Sequence, residues 1–155
     1  MKSVATILLA FAISLVGFKA YSIENPTPGY YKAQKVVYHN DGGTPDNTAY
    51  SKRMLNSMKN HVEAMAAGKA KLEIRVVSHS GGVEMFQLAN TDKDIAGRID
   101  ALKASGVRFL ICNNTLKERK IDWHTLYGVK EDDIVPAGVA EIIRLEAMGF
   151  FYIHL

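Results

Sequence analysis

"VRFLICNNTLKERK", residues 107–120, decides how this chain folds. Residues 107–113 read as a strand that is nearly continuous in apolar side chains. A strand of that kind is covered on both faces, as in a parallel sheet with helices packed above and below. The polar run from Asn113 to Thr115 reads as the start of a helix, and "TLKE" (115–118) has capping-box spacing. Cys112, the one cysteine in the chain, stands where the strand gives way to the helix.

The same alternation extends in both directions. "KVVYH" (35–39) is a β-branched and aromatic run followed by the turn cluster "NDGGTPD". Thr44 and Pro45 read as N-cap and first position of a helix carrying Met54, Leu55, Met58, Val62 and Met65, with Gly68 as its stop. "KLEIRVVSH" (71–79) is a second strand, and "SGGVEMFQLA" turns into a short helix. "TDKD" (91–94) has capping-box spacing ahead of a helix with Ile95, Ile99 and Leu102 on one face and Gly106 as stop. Beyond residue 120, a polar region holds Trp123 and His124, expected in local packing or a subunit contact. A helix expected to bury Val139, Ile142, Ile143 and Met148 then leads to Gly149 and a final strand, "FFYIHL". Strands alternating with helices predict an α/β fold: a three-layer α/β/α, flavodoxin-like, mostly parallel sheet of four to five strands.

Residues 1–22 stand apart. Lys2 precedes an apolar and small-residue stretch over 4–18, which is short of the roughly 20 residues that span a bilayer. The pattern fits a signal peptide cut after Ser22, with Ala20 and Ser22 at the small-residue positions; the alternative is an uncleaved N-terminal anchor. Periplasmic or otherwise exported placement follows, with membrane contact only through that segment if it is retained. Residues 23–34, "IENPTPGYYKAQ", read as a linker, and 35–155 as one domain. The formal charge of +3 includes Lys2 and Lys19, so the remainder carries +1. No basic block remains, so nucleic acid is not an expected partner.

Parallel strands bring their C-terminal ends to one edge of the sheet, where ligands and catalytic groups gather. Three strands end there in polar sequence: His39-Asn40, His79-Ser80-Gly81-Gly82 and Cys112-Asn113-Asn114-Thr115. A thiol at a helix N-terminus sits near free N–H groups, which favour the thiolate. A free cysteine is also among the most often buried residue types, so shielding in the core is the competing reading. The expectation is a partly accessible thiol walled by His39 and His79. Those histidines would orient the thiol, bind an anion, or satisfy loop hydrogen bonds. A zinc site of Cys112, His39 and His79 is chemically reasonable. No spaced metal motif is present, so neither a metal nor another cofactor is expected. The turn at 80–84 lacks nucleotide fingerprints, and no nucleophile elbow surrounds Ser80. His61 and His154 are expected to be structural or surface residues.

"KVVYHNDGG", "IRVVSHSGGVEMF" and "GVRFLICNNTLKERKID", in this order and spacing, resemble the DsrE/DsrF-like family of small sulfur-relay proteins over roughly residues 35–155. The resemblance implies a flavodoxin-like fold assembled as a homo-oligomer, trimer or hexamer. It also implies a cysteine at the end of the third strand that accepts sulfane sulfur as a persulfide and passes it to a partner protein. Cys112 holds the matching position, and Arg119 matches a basic residue of the helix that follows. His39 and the His79-Ser80-Gly81-Gly82 turn match the polar strand ends lining the family's site. Apparent export and the polar "CNNT" stretch place the chain nearer a single-gene branch than the cytoplasmic relay subunits. Two functions follow: a sulfurtransferase-like carrier using Cys112, or a non-catalytic oligomeric protein whose strand edge holds a small anion, a metal or a protein partner.

Overall fold

The computed structural model describes residues 28–155, residue 44 excepted. The expected signal peptide and Thr44 therefore lie outside the described residues, as does most of the 23–34 linker. Gln34, the last residue of that linker, already belongs to a strand.

Five strands form one all-parallel sheet: β1 (Gln34–Asn40), β2 (Leu72–Ser78), β3 (Arg108–Cys112), β4 (Ile134–Val135) and β5 (Phe151–His154). Their order is β4-β3-β2-β1-β5. Between them run α1 (Asn47–Ala67), α2 (Glu84–Leu88), α3 (Lys93–Ala104), α4 (Asn113–Arg119) and α5 (Gly138–Ala147), with a 3-10 turn at Ser80–Val83.

Side chains alternate across a strand, so each strand feeds two faces. Val36, Tyr38, Ile74, Val76, Phe109 and Ile111 join Met54, Leu55 and Met58 of α1, Phe86 of α2, Ile95 and Ile99 of α3 and Leu116 of α4 in the main core. Val37, Val77 and Leu110 point the other way, against Ile142 and Leu145 of α5 and Phe150. The result is the expected three-layer α/β/α arrangement.

The chain leaves β3 into α4 on the first face and leaves β4 into α5 on the second. Adjacent strands whose exits diverge in this way open a crevice at the sheet edge, the usual ligand position in open α/β sheets. Cys112 pairs with Val135 across it.

Helix starts differ from the sequence reading. Asp46, not Thr44, caps α1, its carboxylate accepting the Ala49 N–H at 2.9 Å. Asp92, not Thr91, caps α3 through the N–H groups of Asp94 and Ile95. Their carboxylates do the same work as the hydroxyls one or two residues earlier. At α4 the helix opens on Asn113 directly from β3, so Thr115 is already inside the first turn.

The largest departure is in α5. It buries Gly138, Glu141, Ile142 and Leu145, whereas Val139 and Ile143 are 62% and 63% exposed and Met148 is also exposed. Apolar residues run round much of this helix, and the stripe at Gly138, Ile142 and Leu145 is the one turned to the sheet. At the end of α1, the left-handed residue is Lys69 (φ 53°), and Gly68 remains right-handed.

Candidate functional site

The face of the sheet that α5 covers ends in chemistry. Val77 lies opposite Leu110, so the α5 face of β2 and β3 continues two residues on to His79 and Cys112. Val37 lies opposite Tyr152 and His39 opposite His154, and Val37 belongs to the α5 face. Strand alternation thus sets Tyr152, His154, His39, His79 and Cys112 along one face at the C-terminal edge.

Cys112 is 5% exposed, less than the partly accessible thiol expected. Its backbone is extended (φ −71°, ψ 114°), and it is the N-cap residue of α4. Burial pushes the thiol pKa up. That effect is outweighed by donors converging on the sulfur: the N–H groups of Thr115 and Gly138, the Thr115 hydroxyl and the Asn114 N–H. The net shift is downward from the ordinary thiol value, towards thiolate.

Gly138 comes from β4's exit, not from the stretch that carries the thiol. A Cβ built on it would stand 3.1 Å from the His79 Cβ and 3.2 Å from the Cys112 Cβ. Only a residue without a side chain fits there comfortably, and its backbone N–H reaches the sulfur as a result.

A second line of contacts runs from the edge strand inward. Tyr152 Oη lies 2.6 Å from His39 Nδ1, His39 Nε2 lies 2.5 Å from His79 Nε2, and His79 Nδ1 lies 3.1 Å from Ser80 Oγ. The His39 and His79 rings stack with centroids 4.7 Å apart, and the His154 ring is 4.9 Å from His39. His154 Nε2 meets Asp41 Oδ1 at 2.9 Å. Burial, then the charge of His79, holds the His39 pKa below the usual imidazole value despite the opposing pull of Asp41. Burial does the same at His79, with His154 adding to it. At Asp41, burial raises the pKa, and the contacts with His154 more than reverse that.

The remaining residues singled out in the sequence are placed as follows. Asn40 is buried, its side-chain amide donating to Ser78 Oγ (3.0 Å) and to the Gly82 carbonyl (2.9 Å). It ties two strand ends together. A Cβ on Gly82 would sit 2.1 Å from the Asn40 carbonyl oxygen, which is why the turn needs glycine. Gly81 offers its carbonyl to Asn47 at 2.8 Å. Ser80 takes a left-handed backbone (φ 48°), and its N–H donates to Thr115 Oγ1 at 3.0 Å, linking the second strand end to the thiol's own donor. Asn113 is the first residue of α4. Arg119 forms an ion pair with Glu84 (2.6 Å), which also accepts from Asn47 (2.7 Å). It therefore joins α4 to α2, and no contact with the thiol is among its hydrogen bonds.

His154, expected to be structural or surface, stands beside His39 at the site. Tyr152, Asp41 and Gly138 also belong here and were not singled out in the sequence. The period-2 pattern of "FFYIHL" would have put Tyr152 and His154 on one face, but only the β1–β5 pairing says whose face it is. His61, by contrast, is structural: it bonds Tyr38 Oη (2.9 Å) and Gln34 (2.8 Å). Trp123 packs on the main core and stacks with His124 at 3.8 Å. Among the described residues, no group of three or more His, Cys, Asp or Glu side chains is disposed to hold a metal ion, and no helix is long and apolar enough to cross a membrane.

The sequence model of the DsrE/DsrF-like family matches residues 35–155. The chain belongs to that family. Among solved structures, this DsrE/DsrF-like chain is similar to the protein of unknown function MTH1491 from Methanobacterium thermoautotrophicum. The two are 30% identical with a TM-score of 0.60, over 79% of this chain and 99% of that one. It also shares its fold with the ychN protein from E. coli, at 14% identity and a TM-score of 0.51, again over 79% and 99% of the two chains. Comparison with curated proteins finds no match. The family suggests a function of the sulfur-relay type.

Proposed function

We propose that this protein carries sulfane sulfur as a persulfide on Cys112. The observation that carries the reading is the convergence of three backbone N–H groups and one hydroxyl on a single sulfur at a strand end. Such a cradle favours a sulfur anion, whether the thiolate or the terminal sulfur of a persulfide. The Cys112 thiolate attacks the sulfane sulfur of a donor persulfide. A new bond forms from Sγ to that sulfur, the donor's S–S bond breaks, and the donor leaves as a thiolate. An acceptor thiolate reverses the step and takes the sulfur on, so no outside oxidant or reductant is consumed. The carrier is thus a transfer partner and not a turnover enzyme. The segment 1–22, read as an export signal, puts this chemistry outside the cytoplasm in the same proposal.

Mass spectrometry after exposure to inorganic polysulfide tests it. The intact chain should gain the mass of one sulfur atom or more, and Cys112→Ser should gain none. An unmodified wild-type protein would remove the reading.

A second reading has its own observation. Val139, Ile143, Met148 and Phe151 are large apolar side chains exposed on α5 and on the neighbouring strand β5. A surface of this kind suits a second copy of the chain, giving a homo-oligomer that binds a partner with Cys112 inert beneath it. Failure of a small alkylating reagent to label native Cys112, with labelling after unfolding, would favour this reading over the carrier.

A further inference from the structure

The contacts beside the thiol form a continuous path from the rim of the sheet to the sulfur. Tyr152 on β5 meets His39 on β1, His39 meets His79 beyond β2, and His79 meets Ser80. The Ser80 N–H holds Thr115 Oγ1, and the Thr115 hydroxyl and N–H both face the sulfur of Cys112. Tyr152 is 45% exposed, so one end of the path is open to solvent, whereas Cys112 is buried.

The proton count along this path is tightly constrained. Two ring nitrogens 2.5 Å apart must share one proton, since two lone pairs or two N–H groups would repel at that distance. With both rings neutral, two arrangements satisfy every contact. In the first, Tyr152 O–H donates to His39 Nδ1, His39 Nε2–H donates to His79 Nε2, and His79 Nδ1–H donates to Ser80 Oγ. In the second, each of those donors and acceptors is reversed, and Ser80 O–H begins the chain. One added proton also fits: His39 then donates from both nitrogens, to Tyr152 and to His79, and His79 donates to Ser80. A second added proton does not fit, because Nε2–H would face Nε2–H.

We propose that Tyr152, His39 and His79 are a proton relay holding one exchangeable proton between solvent and the Cys112 site, with Tyr152 as the positioning residue that fixes the His39 tautomer. The inference deepens the persulfide reading and rests on it for its link to Cys112. The relay supplies what sulfur exchange needs at a buried thiol: a place for the thiol proton to go when the thiolate forms, and a source for it when sulfur leaves. The charged neighbours work in both directions. Asp41 favours the protonated pair, and His154 and the pair's own mutual repulsion oppose it. Glu146 faces Tyr152 from the last turn of α5, and Glu141, on the same helix, is neutralised by Arg144 at 2.6 Å.

Two measurements on the full chain test the relay. The histidine ring protons are followed by NMR across pH, and the rate of Cys112 alkylation by iodoacetamide is followed over the same range. In the wild type, His39 and His79 should titrate as one unit that takes a single proton. Tyr152→Phe keeps the ring but removes the hydroxyl. It should shift that titration and move the alkylation profile with it, changing the rate near the midpoint by about threefold, the equivalent of half a pKa unit. His39→Gln should abolish the shared titration and leave alkylation without its histidine-dependent limb. Independent titration of the two histidines, or a Tyr152→Phe protein with both profiles unchanged, would overturn the relay. A wild-type thiol that resists alkylation at every pH while the pair still titrates together would overturn the persulfide reading and the link to Cys112, and would support the relay as such.

Discussion

The two faces of the sheet are built to different standards. The face under α1, α2, α3 and α4 is a deep core in which Phe86 and Phe109 meet edge to face at 5.7 Å. The face under α5 is thin: Val37, Val77 and Leu110 against Ile142, Leu145 and Phe150. Every group of the candidate thiol site lies on or beside the thin face, at its C-terminal end. Apolar burial is what offsets chain entropy, so the deep face can hold the fold while the thin one carries buried polar groups. A site of histidines and a sulfur anion costs stability through desolvation, and it is placed where little of the core depends on it.

The comparison can be broken most forcefully in the core. Phe86→Ala on the deep face should cost about 3–5 kcal/mol, and Ile142→Ala on the thin face about 2 kcal/mol, at the low end for such truncations. Urea unfolding followed by circular dichroism reads both. Equal losses would mean that the two layers bear the fold alike.

A smaller effect is expected at the join between thin face and site. Gly138→Ala places a methyl against the Cβ atoms of His79 and Cys112. It should cost about 1–3 kcal/mol in strain. It should also slow Cys112 alkylation, because moving the start of α5 withdraws one N–H from the sulfur. A variant as stable and as reactive as the wild type would show that the loop after β4 adjusts freely.

The smallest effect on unfolding, and the sharpest on assembly, concerns the outside of α5. Ile143 is 63% exposed, so Ile143→Lys should change the unfolding free energy of an isolated chain by no more than about 0.5 kcal/mol. If copies meet through this face, the same change should split the oligomer in sedimentation velocity. An unchanged sedimentation profile would move the subunit contact elsewhere.

Much of this architecture was legible in the sequence. Residues 35–39, 71–79 and 107–113 read as strands because runs buried on both faces have a pattern that survives without tertiary context. The convergence of His39, His79 and Cys112 followed from parallel pairing, since parallel strands share one C-terminal edge. Helix starts were read one or two residues from their true positions because serine, threonine and aspartate are nearly equivalent caps. Asp46 and Asp92 lay within that margin of the residues preferred. The inward stripe of α5 was misread because Val139, Ile142, Ile143, Leu145 and Met148 surround so much of the helix that periodicity does not single out one side.

What the sequence determined by itself was local: which segments are strands and helices, and that a lone thiol ends a buried strand at a helix start. Those features depend on residues close in the chain. Only the tertiary structure decided that β5 pairs with β1, bringing Tyr152 and His154 to His39, and that the chain after β4 lays Gly138 against Cys112. Both contacts join segments far apart in sequence, and packing, not local propensity, selects such pairs.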